Sequence, residues 1–357
     1  MKQKTVVLGM SGGVDSSVAA LLLKKQGYKV IGIFLRNYPD NTPYLNQKCP
    51  FRKDKQIAQK IAEKLKIHFK VLDYRKQYLK EVIEPMFRQY KKNLTPNPDT
   101  DCNKIIKFPA LWKEAKKLKA DFIATGHYAR IKKTEDGFKL MQGKDKKKDQ
   151  SYFLYQLTQK DLSHTLFPVG DLTKMQVRNI AKKNKFPNYD KKGSRGICFI
   201  GKLNFKDFLK KKIKEKPGKI FSTEGEVIGA HPGAVFFTIG ERIGPRHKIR
   251  IKNNYKPQEK LYIAEKKGND IIVAIKNHPI LKKKKIKIKN LHIINPKNKI
   301  PKTNLKARIR HLDQLNKGKL SKDIFTLEKP IESVAEGQAI VIYRGQELIG
   351  GGEIRLN

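Results

Sequence analysis

Apolar and polar positions change period near residue 218. Before it, short continuous apolar runs alternate with stretches of helical spacing. Thr5-Val6-Val7-Leu8, Lys29–Leu35, Phe69-Lys70-Val71-Leu72-Asp73 and Asp121–Gly126 read as strands buried on both faces. Between them, Val18–Leu23, then Ile57, Ile61 and Leu65 with Ala58 and Ala62, then Leu111, Trp112, Ala115 and Leu118, fall on single helix faces. A further helix is expected from about Met175 to Asn184, and a hairpin over 130–141 turning at Glu135-Asp136-Gly137. Alternating β and α units predict an α/β fold with a doubly wound parallel sheet, whose ligands sit at the carboxyl ends of its strands. That rule gathers residues 9–17, the end of the second strand near Leu35, and Gly126-His127 around one crevice.

Beyond Gly218 the strands become short and turn signals such as Gly268-Asn269-Asp270 separate them. Lys260–Ala264, Asp270–Ala274 and Ala339–Tyr343 are examples. This predicts a small β-rich central domain and a C-terminal β-barrel. The expected division is 1–214, 215–279 and 280–357, with Glu215-Lys216-Pro217-Gly218 as a linker. No long internal repeat is visible.

Composition adds a partner. The 357 residues carry 79 Lys+Arg against 33 Asp+Glu, a formal net charge of +46. Such an excess suits a polyanion, nucleic acid first. Lysine supplies most of it and Asn and Ile are also frequent, so genome composition accounts for part of the excess. Runs such as Lys282–Lys285 and Lys146–Lys148 carry little weight alone. No apolar run approaches the ~20 residues that span a bilayer, and the first strand begins too early for a signal peptide. A soluble, cytoplasmic protein with no membrane partner is therefore expected. The three cysteines, Cys49, Cys102 and Cys198, include no Cys-x-x-Cys, which argues against a disulfide framework or a zinc ribbon.

The most specific stretch is Gly9-Met10-Ser11-Gly12-Gly13-Val14-Asp15-Ser16-Ser17, between the first strand and the first helix. Its glycines let backbone N–H groups face an anion, the helix N-terminus adds partial positive charge, and three serines add hydroxyls. The Gly-Lys-Ser/Thr ending of a Walker A loop and the G-x-G-x-x-G dinucleotide fingerprint are both absent. Ser-Gly-Gly-x-Asp-Ser resembles the pyrophosphate loop of the ATP pyrophosphatase superfamily, which cleaves ATP between its α and β phosphates. A glycine-rich turn without a ligand is the bland alternative.

Two other segments hold candidate chemistry. In Thr95–Phe108 two prolines flank Asn97, and Asp99 stands three residues before Cys102; Lys104 and Lys107 follow on an expected helix. A thiol near a helix N-terminus and cations is biased toward thiolate. The bland alternative is a proline turn with a satisfied cysteine. In Gly193–Gly201, Cys198 lies in an apolar run between glycines and reads equally as a core cysteine. Lys148–Phe153 passes from polar to aromatic, either as a loop that touches RNA or as a helix start capped by Asp149 or Ser151.

The order SGGVDSS, NPDTDCN, ATGHYAR, KDQSYFLY, GICFIG resembles, along the whole chain, the tRNA-specific 2-thiouridylases. Leu166–Gly170, Thr238–Arg242 and Gly350–Gly352 extend the likeness. The resemblance implies an adenine nucleotide α-hydrolase-like first domain and ATP-dependent 2-thiolation of the wobble uridine of tRNA. It assigns ATP to Gly9, Met10, Ser11, Gly12, Gly13, Val14, Asp15, Ser16, Leu35 and Gly126, with Mg²⁺ accompanying the nucleotide near Asp15. It assigns the target base to Asn97, Pro98 and Asp99, with Asp99 as base or orienting group. Cys102 is then the nucleophile, Cys198 the persulfide carrier, and the two form a transient disulfide. His127, Lys148, Asp149, Gln150, Arg308, Ile309 and Gln338 match tRNA contacts. A persulfide sulfur donor or sulfur-relay protein is the implied partner. The family's central Gly-Gln-Arg stands here as Gly240-Glu241-Arg242, and Ile309 replaces a common Tyr.

Three alternatives stay open on the residues alone. The cysteines could instead ligate an iron–sulfur cluster that carries sulfide. The adenylating site could act on a small molecule. The protein could bind RNA without catalysis.

Overall fold

The computed structural model describes residues 2–37, 51–191, 205–244, 249–251, 259–297 and 303–356. Cys49, Cys198 and the 193–201 motif lie outside the described residues.

The first sheet is built from β1 (Thr5–Gly9), β2 (Lys29–Arg36), β3 (His68–Asp73), β4 (Phe122–Ala124) and, after the hairpin β5 (Ala129–Thr134) and β6 (Gly137–Gln142), β7 (Thr165–Leu166). Its order is β3-β2-β1-β4-β7, and every pairing is parallel. The strand period of two explains why β1 is apolar throughout. Val6 and Leu8 face one core and Val7 the other. Helices α1 (Val14–Lys25) and α2 (Phe51–Lys64) contribute to the first core, with a later helix from 174 to 183. A helical stretch then runs through α3 (Arg75–Tyr78), a π-helical turn at 79–83 and α4 (Glu84–Lys91), and its buried Tyr78, Val82, Met86 and Tyr90 share a core with strands beyond residue 217. There follow α5 (Pro98–Asp101), a second π-helical segment at 102–107 and α6 (Phe108–Lys117). Leu111 and Ala115 of α6 pack under Val7.

The expected strands and helices recur with small shifts. The last helix of this part begins one residue early, because Thr173 and Gln176 form a reciprocal capping box. Preceded by α7 (Gln159–Ser163), this helix, α8 (Lys174–Lys183), runs on toward Asn188 and Lys191, and α9 (Phe205–Lys210) packs against the next sheet.

That second sheet is five-stranded: β8 (Gly218–Phe221), β9 (Val227–His231), β10 (Arg250–Ile251), β11 (Leu261–Lys267) and β12 (Asp270–Ile275), in the order β10-β9-β8-β12-β11. The third holds β13 (Lys282–Ile293), β14 (Leu305–Arg308), β15 (Asn316–Ser321), β16 (Ile324–Glu332), β17 (Ala339–Arg344) and β18 (Glu347–Arg355). Pairing of β13 with both β16 and β18 closes these six into a barrel. The Lys282–Lys285 run leads into alternation on β13, with Ile286 and Ile288 inside and Lys285, Lys287 and Lys289 outside. The expected 130–141 hairpin falls within the 1–214 unit of the sequence-based division. In the structure β6 pairs with β18, through Met141 opposite Glu347 and Leu140 opposite Leu348, so the hairpin extends the C-terminal sheet.

Candidate active site

β1 lies between β2 and β4, so the chain reverses its winding there and leaves a crevice at the strands' carboxyl ends. Residues 10–13 turn at its mouth. Gly12 has φ +73°, and a Cβ on it would stand 2.2 Å from the Asp54 carbonyl oxygen. The loop's carbonyls are pinned backward. Gly12 O accepts from Asn188 Nδ2 at 3.0 Å and Lys191 Nζ at 3.3 Å. Gly13 O accepts from the hydroxyls of Ser16 and Ser17 at 3.0 and 2.9 Å. Asn188 Nδ2 also lies 3.1 Å from Ser17 Oγ, and Lys191 pairs with Asp54. Helix α1 follows Gly13, its N-cap, which makes no side-chain capping bond; the Gly13 N–H itself meets Ser11 Oγ at a long 3.4 Å, and a helix N-terminus of this kind favours an anion. This cradle fits a phosphate chain.

The other ATP candidates are placed around it. Gly126 approaches so closely that a Cβ would meet Ser16 N at 2.7 Å. Met10 is buried, its N–H donating to Ile33 O at 2.8 Å. Leu35 is buried near the end of β2 with Val7 and Ile33. Asp15 accepts from Tyr128 Oη at 2.7 Å and from Lys174 Nζ at 2.6 Å. Asp15 is the acidic side chain in α1's first turn, and it would accompany a phosphate-bound Mg²⁺ only by exchanging the Lys174 ammonium. Among the described residues no group of three His, Cys, Asp or Glu side chains is arranged to hold a metal ion.

The second group gathers around Cys102. Asn97 caps α5, its side chain accepting from Asp99 N at 3.2 Å. Pro98 and Cys102 are buried, whereas Asp99 is half-buried. The sequence places the thiol near a helix N-terminus and biases it toward thiolate. The structure corrects this: Cys102 closes the short α5 turn and continues into the π-helical segment. It is 1% exposed, and burial pushes its pKa up to about 12. Lys107 opposes that shift, and Asp99 and Asp101 add to it. Burial therefore favours the neutral thiol over the thiolate.

A polar chain joins the two groups. Asn103, the residue after Cys102, accepts from Lys107 Nζ at 2.7 Å; Lys107 Nζ lies 3.5 Å from His127 Nε2; His127 Nδ1 lies 2.7 Å from Thr125 Oγ1. Gly126, between Thr125 and His127, touches the loop at Ser16. His127 is buried beside Phe108 and Phe167, and its pKa falls well below the ordinary value because of desolvation, then Lys107.

The remaining candidates are mostly internal. Asp149 is fully buried and accepts from Gly143 N, Ser151 N and Gln142 Nε2, each at 3.1 Å, and from Arg308 Nη1 at 2.9 Å. Gln150 is tied to Tyr128 through both its side chain and its N–H. Ile309 lies in the barrel core. Gln338 donates to Thr95 O at 3.0 Å, beside the turn that carries Asn97. Lys148 is exposed. Sequence reasoning missed Tyr128, Lys174, Asn188, Lys191 and Asp54. The Thr173/Gln176 box is the signal that would have placed Lys174 at a helix start; the other four leave no local signature.

A parallel sheet with an uncapped phosphate cradle, followed by two β units, defines a nucleotide-using enzyme of the HUP type. Residues 4–202 match the family model "tRNA methyl transferase HUP domain", 206–275 the "tRNA methyl transferase PRC-barrel domain", and 283–354 the "Aminomethyltransferase beta-barrel domain". The chain is 42% identical to tRNA-specific 2-thiouridylase MnmA of Karelsulcia muelleri, over 99% of both proteins. It is 40% identical to MnmA 2 of Aliarcobacter butzleri, over 99% of this chain and 98% of that one. It is also 40% identical to MnmA of Bacillus pumilus, over 98% and 94% respectively. The chain belongs to the tRNA-specific 2-thiouridylase family.

Proposed function

We propose that this protein performs ATP-dependent 2-thiolation of the wobble uridine of tRNA. The observation that carries the reading is the cradle's link, through Gly126, His127, Lys107 and Asn103, to the segment that bears Cys102. A phosphate site and a sulfur site so joined suit a reaction that activates a carbonyl with ATP and then replaces its oxygen with sulfur.

The uracil O2 is a poor leaving group. Its attack on the α-phosphate expels pyrophosphate and makes AMP the later leaving group. Gly12, Gly13 and the α1 N-terminus would hold the departing pyrophosphate, and Mg²⁺ bound with the nucleotide would neutralise its charge. The terminal sulfur of a Cys198 persulfide attacks C2 and AMP leaves. The Cys102 thiolate then attacks the inner sulfur of Cys198. The S–S bond breaks toward C2, giving the 2-thiouracil and a Cys102–Cys198 disulfide that an external thiol must reduce. Asp99 would take a proton or orient the base. Burial disfavours the Cys102 thiolate, so its proton must be taken up before the thiol attacks.

Sulfur reaches Cys198 from a persulfide donor, and the basic surface attracts tRNA through phosphates. No described helix is long and apolar enough to cross a membrane. The test is nucleoside mass analysis of tRNA incubated with protein, ATP and a sulfur source. Wild type should yield 2-thiouridine, AMP and pyrophosphate. Cys198→Ser should yield no thionucleoside while binding ATP as before. Wild-type thiolation by that variant would overturn the persulfide route.

A further inference from the structure

A pyrimidine taken out of an anticodon loop loses its stacking neighbours, and its pocket must supply π surface in their place. The residues matched to the target base, Asn97, Pro98 and Asp99, offer none. One ring pair stands next to them. Phe153 and His311 lie with ring centroids 4.3 Å apart and planes tilted by 42°, and both side chains are half-buried.

Both rings are held in place from opposite parts of the molecule. Phe153 O accepts from Asn103 Nδ2 at 3.0 Å, which fixes it beside the residue that follows Cys102. His311, just beyond β14 of the barrel, places Nε2 2.9 Å from the Asp149 carbonyl oxygen. Tyr152 pins the stretch between them, donating from Oη to Ala339 O at 2.8 Å. The Asp99 carboxylate lies near enough to act on the His311 charge. The pair sits at the seam of two units, next to the Cys102 segment through the Asn103 bond, with the Tyr152 ring against both members and Phe153 resting on the core under β1. Its neighbours Tyr152 and Leu154 are covered, at 0% and 1% exposed, whereas Phe153 and His311 keep part of their surface open to a ligand.

We propose that Phe153 and His311 form the stacking platform for the flipped uracil, presenting its C2 edge toward Asp99 and Cys102. The inference rests on the thiolation reading above and goes beyond it by naming what holds the base. The Phe153 ring is the face on which the pyrimidine lies, and His311 backs that ring and sets its tilt.

The test uses the full-length protein and a tRNA carrying 5-iodouridine at the wobble position, irradiated at long wavelength with ATP present. Crosslinked peptides are mapped by mass spectrometry. The platform predicts attachment at Phe153 or His311. Phe153→Ala should lower kcat/KM for tRNA by roughly tenfold, in line with the loss of one base–aromatic stack, with KM for ATP unchanged. Phe153→Tyr should restore most of the activity. His311→Phe keeps a ring and should retain more activity than His311→Ala. Crosslinking confined to other residues, together with wild-type kcat/KM in Phe153→Ala, would overturn the platform while the wild-type enzyme still thiolated tRNA. A wild type that made no 2-thiouridine would instead overturn the thiolation reading. Equal losses in KM for ATP and for tRNA in Phe153→Ala, unrescued by Tyr, would reduce the pair to a packing element and also overturn the platform.

Discussion

Asp101, one residue before Cys102, shows how far burial governs the 97–107 segment. Its pKa rises to about 6, first because burial disfavours the charge, with Lys104 opposing and the Glu353 carboxylate adding to the rise. The unfolded value is near 3.8, so between these limits the folded state holds the proton more tightly. The stability this provides is complete below about pH 4 and is lost as pH rises through about 6. At neutral pH the ionised side chain therefore weakens the fold. Asp101→Asn keeps the volume and removes the ionisation. It should raise the urea-unfolding free energy at about pH 7 by on the order of 2 kcal/mol, and the gain should vanish near pH 4. A variant less stable than wild type at both values would show that the carboxylate is held by partners stronger than its desolvation. None of this is legible in Thr-Asp-Cys-Asn-Lys as a string. Spacing brings lysines near the thiol, but depth within the core formed with Phe87 and Phe208 decides its charge.

Among elements, the sequence reads best where a local rule and a tertiary need coincide. β1, β2 and α1 satisfy both, because a strand covered on two faces must be apolar at every position, and a loop that faces phosphate must be glycine-rich. The cradle's supports were hidden because they come from distant segments. Asn188 is 1% exposed and gives its amide to Gly12 O and Ser17 Oγ, 176 and 171 residues away. Asn188→Ala should leave the Gly12 carbonyl to the longer Lys191 bond at 3.3 Å and loosen the peptide that carries it. KM for ATP should rise about tenfold, the effect of losing a buried hydrogen-bonded pair, while KM for tRNA stays within about twofold. Gly126→Ala is harsher, because its Cβ would strike backbone atoms of Asp15 and Ser16 at 2.9 and 2.7 Å. Equilibrium ATP binding should be lost in that variant. Unchanged binding in both would mean that the nucleotide lies elsewhere.

Across the whole molecule, the division into units is legible as a change of period, but their joining is not. The sequence shows a hairpin at 130–141 and a distant barrel, and nothing local announces that β6 will pair with β18. The apolar core under β1 likewise takes in Ala339, Val341, Tyr343 and Leu348. At this seam lies the Asp149–Arg308 ion pair, with Asp149 0% and Arg308 6% exposed. The family resemblance assigns both residues to tRNA. Their burial gives them a second role, as a clamp between the first unit and the barrel. Removing one partner of a buried pair costs about 3–5 kcal/mol because the remaining charge is stranded. Three other donors still face Asp149, so Arg308→Ala should fall at the lower end, about 3 kcal/mol in urea unfolding. Asp149→Asn combined with Arg308→Met removes both charges and should recover more than half of that loss. The clamp and the RNA contact then separate cleanly. If the double variant refolds to near wild-type stability yet has a raised KM for tRNA, the pair serves both tasks. If Arg308→Ala unfolds at the wild-type midpoint and loses only tRNA affinity, the seam does not depend on this pair, and the arginine must reach RNA by leaving the position it holds here.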